Sequence, residues 1–228
     1  MNKFMLGAYW DGRRDSLDMC TENAGRLFAG LVEIDPLFSQ WYEPGKSRKD
    51  SRKRKVDPFD IQRLREILLK RRIRHDTDGV VIEELGFRVA LWNGAVEDED
   101  QASIDITCGC YGEYVGNYVT IDLPYKAGNT KWVENASSLL ALVAEIWRPE
   151  WAGIMSKKAM RARGYDANYP FVDWMVYVPR VVAAVPLPSR IDVLKGLGSI
   201  VVVQPDPPVG DDAGELSLIR RVERLLTT

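Results

Sequence analysis

Residues 87–123 read FRVALWNGAVEDEDQASIDITCGCYGEYVGNYVTIDL, and the reading of this stretch decides the fold. Phe87, Val89 and Leu91 alternate with Arg88 and Ala90, and Ile104, Ile106 and Cys108 alternate with Asp105 and Thr107. Val119, Ile121 and Leu123 then alternate with Tyr118, Thr120 and Asp122. Successive side chains of a strand point to opposite faces, so a period of two builds one apolar face and one polar face. The connections EDED and GCYGEYVGN have the composition of turns. Three such strands in series predict an antiparallel meander near residues 86–123 with one buried face.

Working outward, FMLGAYW at 4–10 predicts a strand, and Asp15 or Ser16 then caps a helix with Leu17, Cys20, Leu27 and Leu31 on its apolar face. Asp57-Pro58 predicts the start of a second helix along Ile61, Leu64, Ile67 and Leu68, ending near His75. From Asn135 a third helix carries Leu139, Leu140, Leu142, Val143, Ile146 and Trp147 up to Pro149, and is expected to pack on the meander. WMVYV near 174–178 and SIVVV near 199–203 are strand-like. Asp212 and Glu215, three apart, resemble a capping box ahead of Leu218, Ile219, Val222, Leu225 and Leu226. Strands and helices interleave without regular βαβ units, which predicts an α+β fold: an antiparallel sheet packed with about four helices. The chain is expected to form a single domain over 1–228, with an exposed basic insertion loop at 45–57, and could divide into two interlocked α+β halves.

Composition excludes more than it identifies. At 228 residues, 46% hydrophobic and 28% charged, the chain is that of an ordinary globular protein. No window approaches the roughly 18 apolar residues of a membrane span. The start MNKFMLGAYWDGRRD lacks a small-residue cleavage site, so a cytoplasmic location and no membrane partner are expected. Gly45-Lys46-Ser47 ends like a P-loop, but Gln40 stands where that motif needs its first glycine. Gly196-Leu197-Gly198 lacks the third glycine of a dinucleotide fingerprint and precedes a strand. Cys20, Cys108, Cys110 and His75 have the arithmetic of a zinc site, but strand alternation turns Cys108 and Cys110 toward the core. His75 itself reads as a solvated cap at a helix end. With one histidine and no nucleophile elbow, the expectation is no catalytic, cofactor-binding or metal-binding residues, no cofactor and no small-molecule substrate.

Charge is the one feature with organisation. Residues 46–74 hold thirteen bases against four acids, or +9, while the rest of the chain holds 18 bases against 29 acids, or −11, which together give the formal −2. A basic run can bind nucleic acid phosphates, although no aromatic is interleaved in it and the remainder would repel a polyanion. Alternatively the acidic body, with patches at Glu97–Asp100, Asp76–Glu84 and Asp206–Glu215, is steered toward a basic partner.

Several markers then fall in order along the chain: Tyr9-Trp10-Asp11-Gly12-Arg13, Trp41-Tyr42 with Pro44-Gly45, Leu91-Trp92-Asn93-Gly94, Ile106-Thr107-Cys108-Gly109, Asn117, Leu123-Pro124, Trp147-Arg148-Pro149, and the strand entry from Leu194 to Val203. Together they resemble the immunity protein 52 family of bacterial polymorphic toxin systems, with one departure, Asp11 standing where the family usually places glycine after the tryptophan. The resemblance implies a non-enzymatic antidote. Its partner would be a cognate toxin with a restriction-endonuclease-like nuclease domain, delivered between bacteria, often by a type VI secretion system. Occlusion of that toxin, with direct nucleic-acid binding disfavoured, is the implied work. Carboxylates that could stand in for phosphates are Glu97, Asp98, Glu99, Asp100, Asp211 and Asp212. Aromatic anchors are sought among Trp92, Tyr111 and Tyr114, and among whichever of Trp10, Trp41 and Tyr42 are exposed. The other reading is a nucleic-acid-binding accessory protein that uses the basic 46–74 segment.

Overall fold

The computed structural model describes residues 2–113, 115–124 and 132–226. In chain order it contains β1 (Phe4–Trp10), α1 (Leu17–Ile34), β2 (Trp41–Tyr42), α2 (Arg48–Ser51), β3 (Lys55–Val56), α3 (Ile61–Lys70), β4 (Phe87–Trp92), β5 (Ser103–Cys108) and β6 (Asn117–Asp122). Then follow α4 (Val133–Trp147), β7 (Trp151–Ser156), α5 (Lys157–Arg163), β8 (Met175–Val178), β9 (Arg190–Leu194), β10 (Gly198–Val202) and α6 (Ala213–Leu226). The fold is α+β, and its chain divides into two compact units: residues 9–121 form one, and the described residues of 1–8 and 122–228 form the other.

In the 9–121 unit the strand order is β3-β2-β4-β5-β6. The meander lies where its periodicity placed it: β4 and β5 pair antiparallel from Phe87↔Cys108 to Trp92↔Ser103. Strict alternation of buried and part-buried residues along β5 and β6 gives the sheet its single core face. Helix α1, capped by the Ser16 hydroxyl accepting from Met19 N at 3.2 Å, packs on α3, and α3 packs on β4. Trp41, wholly buried, lies against Phe28 at 5.3 Å and Phe38 at 6.2 Å between ring centroids, and its Nε1 donates to Phe38 O at 2.8 Å.

Three local expectations change here. The cap of α3 is Asp60, which accepts from Arg63 N at 3.0 Å; Asp57 instead accepts from Phe59 N at 3.0 Å and closes a turn one step earlier. An Asp-Pro pair serves such a turn as well as a helix start, because the Asx side chain satisfies the amide two residues on. The helix then stops at Lys70, and His75 lies beyond it in a turn closed by the Arg74↔Val81 bridge, its amide donating to Val80 O at 2.9 Å. His75 is therefore no helix cap. The 45–57 segment, expected as loop, contains α2 and β3. Ser47 accepts from Asp50 N, the Ser51 hydroxyl accepts from Gly45 N at 2.7 Å, and Trp41↔Val56 and Tyr42↔Lys55 pair β2 with β3.

In the other unit the order is β1-β7-β8-β10-β9, with β7/β8, β8/β10 and β10/β9 antiparallel. Strands β7, β8 and β10 are buried at every residue, the pattern of strands covered on both faces. On one face Val176, Val178 and Val201 form a cluster with Leu218, Ile219, Val222 and Leu226 of α6. Helix α4 packs against β7, β8 and β10. These fully buried strands need a cover on their second face. Helix α4 ends at Arg148, a left-handed residue at φ 48° whose amide donates to Ala144 O, immediately before Pro149.

Asp173 is the wholly buried carboxylate of this unit. It accepts from Ser156 N at 2.7 Å and stands 3.8 Å from Arg163 Nη1. Burial pushes its pKa up from 3.8 to about 6, against the opposing pull of the Ser156 amide and Arg163. An acid whose folded pKa is raised favours the folded state fully below its unfolded pKa and loses that contribution as pH rises through the folded value. Between pH 4.5 and 7.5 wild type should therefore lose about 2 kcal/mol relative to Asp173→Asn, at 1.36 kcal/mol per unit. Urea denaturation of both chains at pH 4.5 and 7.5 measures the difference, and parallel behaviour would contradict it.

Candidate functional site

The acidic turn between β4 and β5 is built on a buried amide. Asn93 accepts from Ala95 N at 3.3 Å and Ala102 N at 3.1 Å, and donates to Asp100 O at 2.8 Å and Leu37 O at 3.3 Å. Gly94 takes φ +74°, and a Cβ there would come within 2.3 Å of the Tyr42 ring, so this position requires glycine. On this base Asp98–Asp100 form a short 3-10 turn. Glu97 and Glu99 are exposed and pair with no described residue, while Asp100 is partly buried. Asp98 accepts from Arg48 Nη2 and from Gln101 Nε2, each at 2.8 Å. Beside the turn, Trp92 is half-buried, 6.3 Å from the Tyr42 ring, with the Arg52 guanidinium 5.9 Å from its centroid. The two charge blocks that are distant in sequence thus meet here, because α2 lies over the acidic turn.

The other expected contact residues lie elsewhere. Tyr111 follows the far end of β5, about 20 Å of strand from the acidic turn, and is exposed with Arg14 stacked 4.8 Å from its ring. Tyr114 falls outside the described residues. Asp211 and Asp212 belong to the other unit. Asp212 caps α6 by accepting from Glu215 N at 2.9 Å, and Asp211 pairs with Lys158 at 2.7 Å. Glu215 accepts from Val209 N and Gly210 N at 3.1 Å and from Gln204, so its carboxylate holds the preceding loop where a capping box would return it to Asp212. Trp10 and Trp41 are buried, which leaves Tyr42 and Trp92 as the part-exposed aromatics beside the acidic turn.

Much of the basic span is engaged internally. Arg63, Arg71 and Lys70 converge on the buried Glu43 at 3.0, 3.4 and 3.9 Å, Arg54 pairs with Asp50 at 2.8 Å, and Arg65 pairs with Asp18 at 3.2 Å. Lys46, Lys49, Lys53 and Lys55 are exposed, and their ammonium groups pair with no described carboxylate. Sequence reasoning missed Glu43, because nothing in Tyr42-Glu43-Pro44 indicates cations brought from twenty and more residues away.

The thiols are core groups. Cys20, Cys108 and Cys110 are buried and free. The neighbouring Cys20 thiol and burial hold Cys108 well above the usual thiol range, and burial pushes Cys110 up to about 11, so neither is a ready thiolate. No group of three or more His, Cys, Asp or Glu side chains among the described residues could hold a metal ion. Likewise, no helix among them is long and apolar enough to cross a membrane.

An α+β protein thus presents carboxylates and part-exposed aromatics together on a turn held by a buried amide. The chain belongs to the immunity protein 52 family, whose model matches residues 2–228. Its fold is similar to that of the Pseudomonas aeruginosa T6SS protein PA0821, at a TM-score of 0.59 and 12% identity, over 100% of this chain and 73% of that one. No curated protein matches the chain.

Proposed function

We propose that the protein binds and neutralises a cognate nuclease toxin by occluding it, with no catalysis of its own. Family membership supports a toxin as partner. The restriction-endonuclease-like character of that toxin is what the family's motifs imply, and the T6SS designation of PA0821 suggests the route of delivery. The cytoplasm, where the toxin's DNA substrate lies, is the fitting compartment. One observation carries the choice of a basic partner: Glu97 and Glu99 stand exposed and unpaired on a turn held rigid by Asn93, beside the part-exposed Trp92. A DNA-cleaving enzyme presents a basic groove, and preorganised carboxylates suit it at little conformational cost.

Co-expression with the toxin gene encoded beside it should restore growth, and unrelieved killing would sink the proposal. Reversing Glu97, Asp98, Glu99 and Asp100 together to lysine should weaken toxin binding at least tenfold and steepen killing. Undiminished protection by that variant would remove the acidic turn from the interface. The nucleic-acid reading rests on Lys46, Lys49, Lys53 and Lys55, whose ammonium groups pair with no described carboxylate; it requires salt-sensitive gel retardation of DNA that is lost when Lys53, Arg54 and Lys55 are neutralised.

A further inference from the structure

Within the 9–121 unit, a hollow of about 370 Å³ opens beside the start of α1, lined by Arg14, Asp15, Arg72, Glu83, Phe87 and Tyr111 among others. Two guanidiniums stand on aromatic walls: Arg14 lies 4.8 Å from the Tyr111 centroid and Arg72 lies 5.2 Å from that of Phe87. Stacking fixes a guanidinium plane while leaving its N–H edge free for an acceptor. Arg14 is exposed and pairs with no described carboxylate. Arg72 makes a long ion pair, its Nη2 standing 4.0 Å from the Glu83 carboxylate, while its shielded Nε has no acceptor among the described residues. Asp15 does not serve either arginine, because Arg13 Nε holds both of its oxygens at 3.2 and 2.9 Å. Arg14, without a described carboxylate partner, and the loosely held Nη edge of Arg72 are thus the groups this hollow offers to an acceptor arriving from outside.

The missing group is an anion, and its surroundings select among anions. Glu83 and Glu84 are exposed at the rim, with the Tyr111 and Gly112 amides donating to Glu84 O at 3.0 and 3.4 Å, and Glu113 follows directly. A nucleic acid backbone, with a phosphate every few ångströms, would meet these carboxylates on both sides. A single carboxylate set among basic groups would not.

We propose that the Arg14–Arg72 hollow receives an active-centre carboxylate of the nuclease toxin, with Glu83, Glu84 and Glu113 facing the toxin's basic DNA groove. Nucleases hold their metal ions on carboxylates at the floor of a cationic groove, and paired arginines ringed by acids are the electrostatic complement of that arrangement. The guanidiniums then occupy the carboxylates that would otherwise hold metal. This adds to the functional reading above a second contact, at the other end of β5 from the acidic turn, and rests on that reading.

The test titrates the purified nuclease domain with wild type, Arg14→Gln/Arg72→Gln and Arg14→Glu. The double variant should bind at least 100-fold more weakly, and the exposed single variant at least tenfold more weakly at an unchanged melting temperature, which decides the matter should the double variant fold poorly. A nuclease domain with one catalytic carboxylate changed to its amide should lose affinity for wild type, yet lose nothing further against the double variant. Equal binding of wild type and Arg14→Glu overturns the proposal and leaves the immunity reading intact. Absence of any binding by wild type overturns both. Retardation of duplex DNA by wild type that disappears in Arg14→Glu makes the hollow a phosphate site and overturns the proposal in favour of nucleic acid.

Discussion

Asn117→Ala is expected to lower stability by about 2–4 kcal/mol, enough to unfold a substantial fraction of a marginally stable domain. Asn117 is 1% exposed, donates through Nδ2 to Asp11 O at 2.8 Å and Cys110 O at 3.1 Å, and accepts at Oδ1 from Cys110 N at 2.8 Å. Alanine leaves Asp11 O and Cys110 N without those partners, while Cys110 O keeps the Arg13 amide at 2.7 Å. The buried Cys110 N so orphaned costs about 1–3 kcal/mol and the lost side-chain volume adds a cavity, whereas Asp11 O belongs to an exposed residue. The loop held by this clamp carries Tyr111, so partial unfolding there should also show as rapid amide exchange over residues 109–113. Urea denaturation measures the loss, and a change below about 1 kcal/mol would show that water replaces the clamp.

Trp41→Ala should cost roughly 3–5 kcal/mol from lost burial and the cavity left behind, with Phe38 O also losing its donor. The paired variant Trp41→Phe keeps the aromatic packing against Phe28 and Phe38 and should cost only about 1–2 kcal/mol. This pair separates packing from recognition. Where enough folded Trp41→Phe protein remains, its toxin affinity should equal that of wild type, because the side chain is wholly buried. A large affinity loss with little stability loss would place Trp41 at an interface.

What was legible in the sequence followed from periodicity. Meander strands with one wet face alternate, so Ile104, Ile106 and Cys108 announce β5, and the buried stripe Leu64, Ile67 and Leu68 announces α3. Strand β7 escaped notice because burial on both faces removes alternation: Trp-Ala-Gly-Ile-Met-Ser has no period to read. Nor does an apolar helix face say which strands it covers, and α4 lies on β7, β8 and β10. Asp57 and Asp60 are equally good caps by composition, and only the hydrogen bonds separate them. The family markers prove to be largely structural: Asn93 and Asn117 are amide clamps, Gly94 and Gly109 take φ near +70°, and Arg148 ends a helix in the left-handed region.

The candidate site was only half legible. Glu97–Asp100 could be seen as a run of acids, but not that Arg48 would reach Asp98 or that Arg52 would lie over Trp92. Such long-range pairs leave no local trace in one chain. Arg14 and Arg72 were unreadable as a pair for the same reason, standing far apart in sequence and meeting only at the hollow between them. Asp211 and Asp212, attractive as acids, turn out to hold Lys158 and the start of α6.

The most direct measurement of the central claim is a titration of DNA cleavage by the neighbouring toxin's purified nuclease domain with increasing amounts of this protein. Cleavage should fall linearly to background and reach it at a 1:1 ratio, with a stable complex on a sizing column. Undiminished cleavage at a tenfold excess of folded protein, with both chains eluting separately, would contradict it.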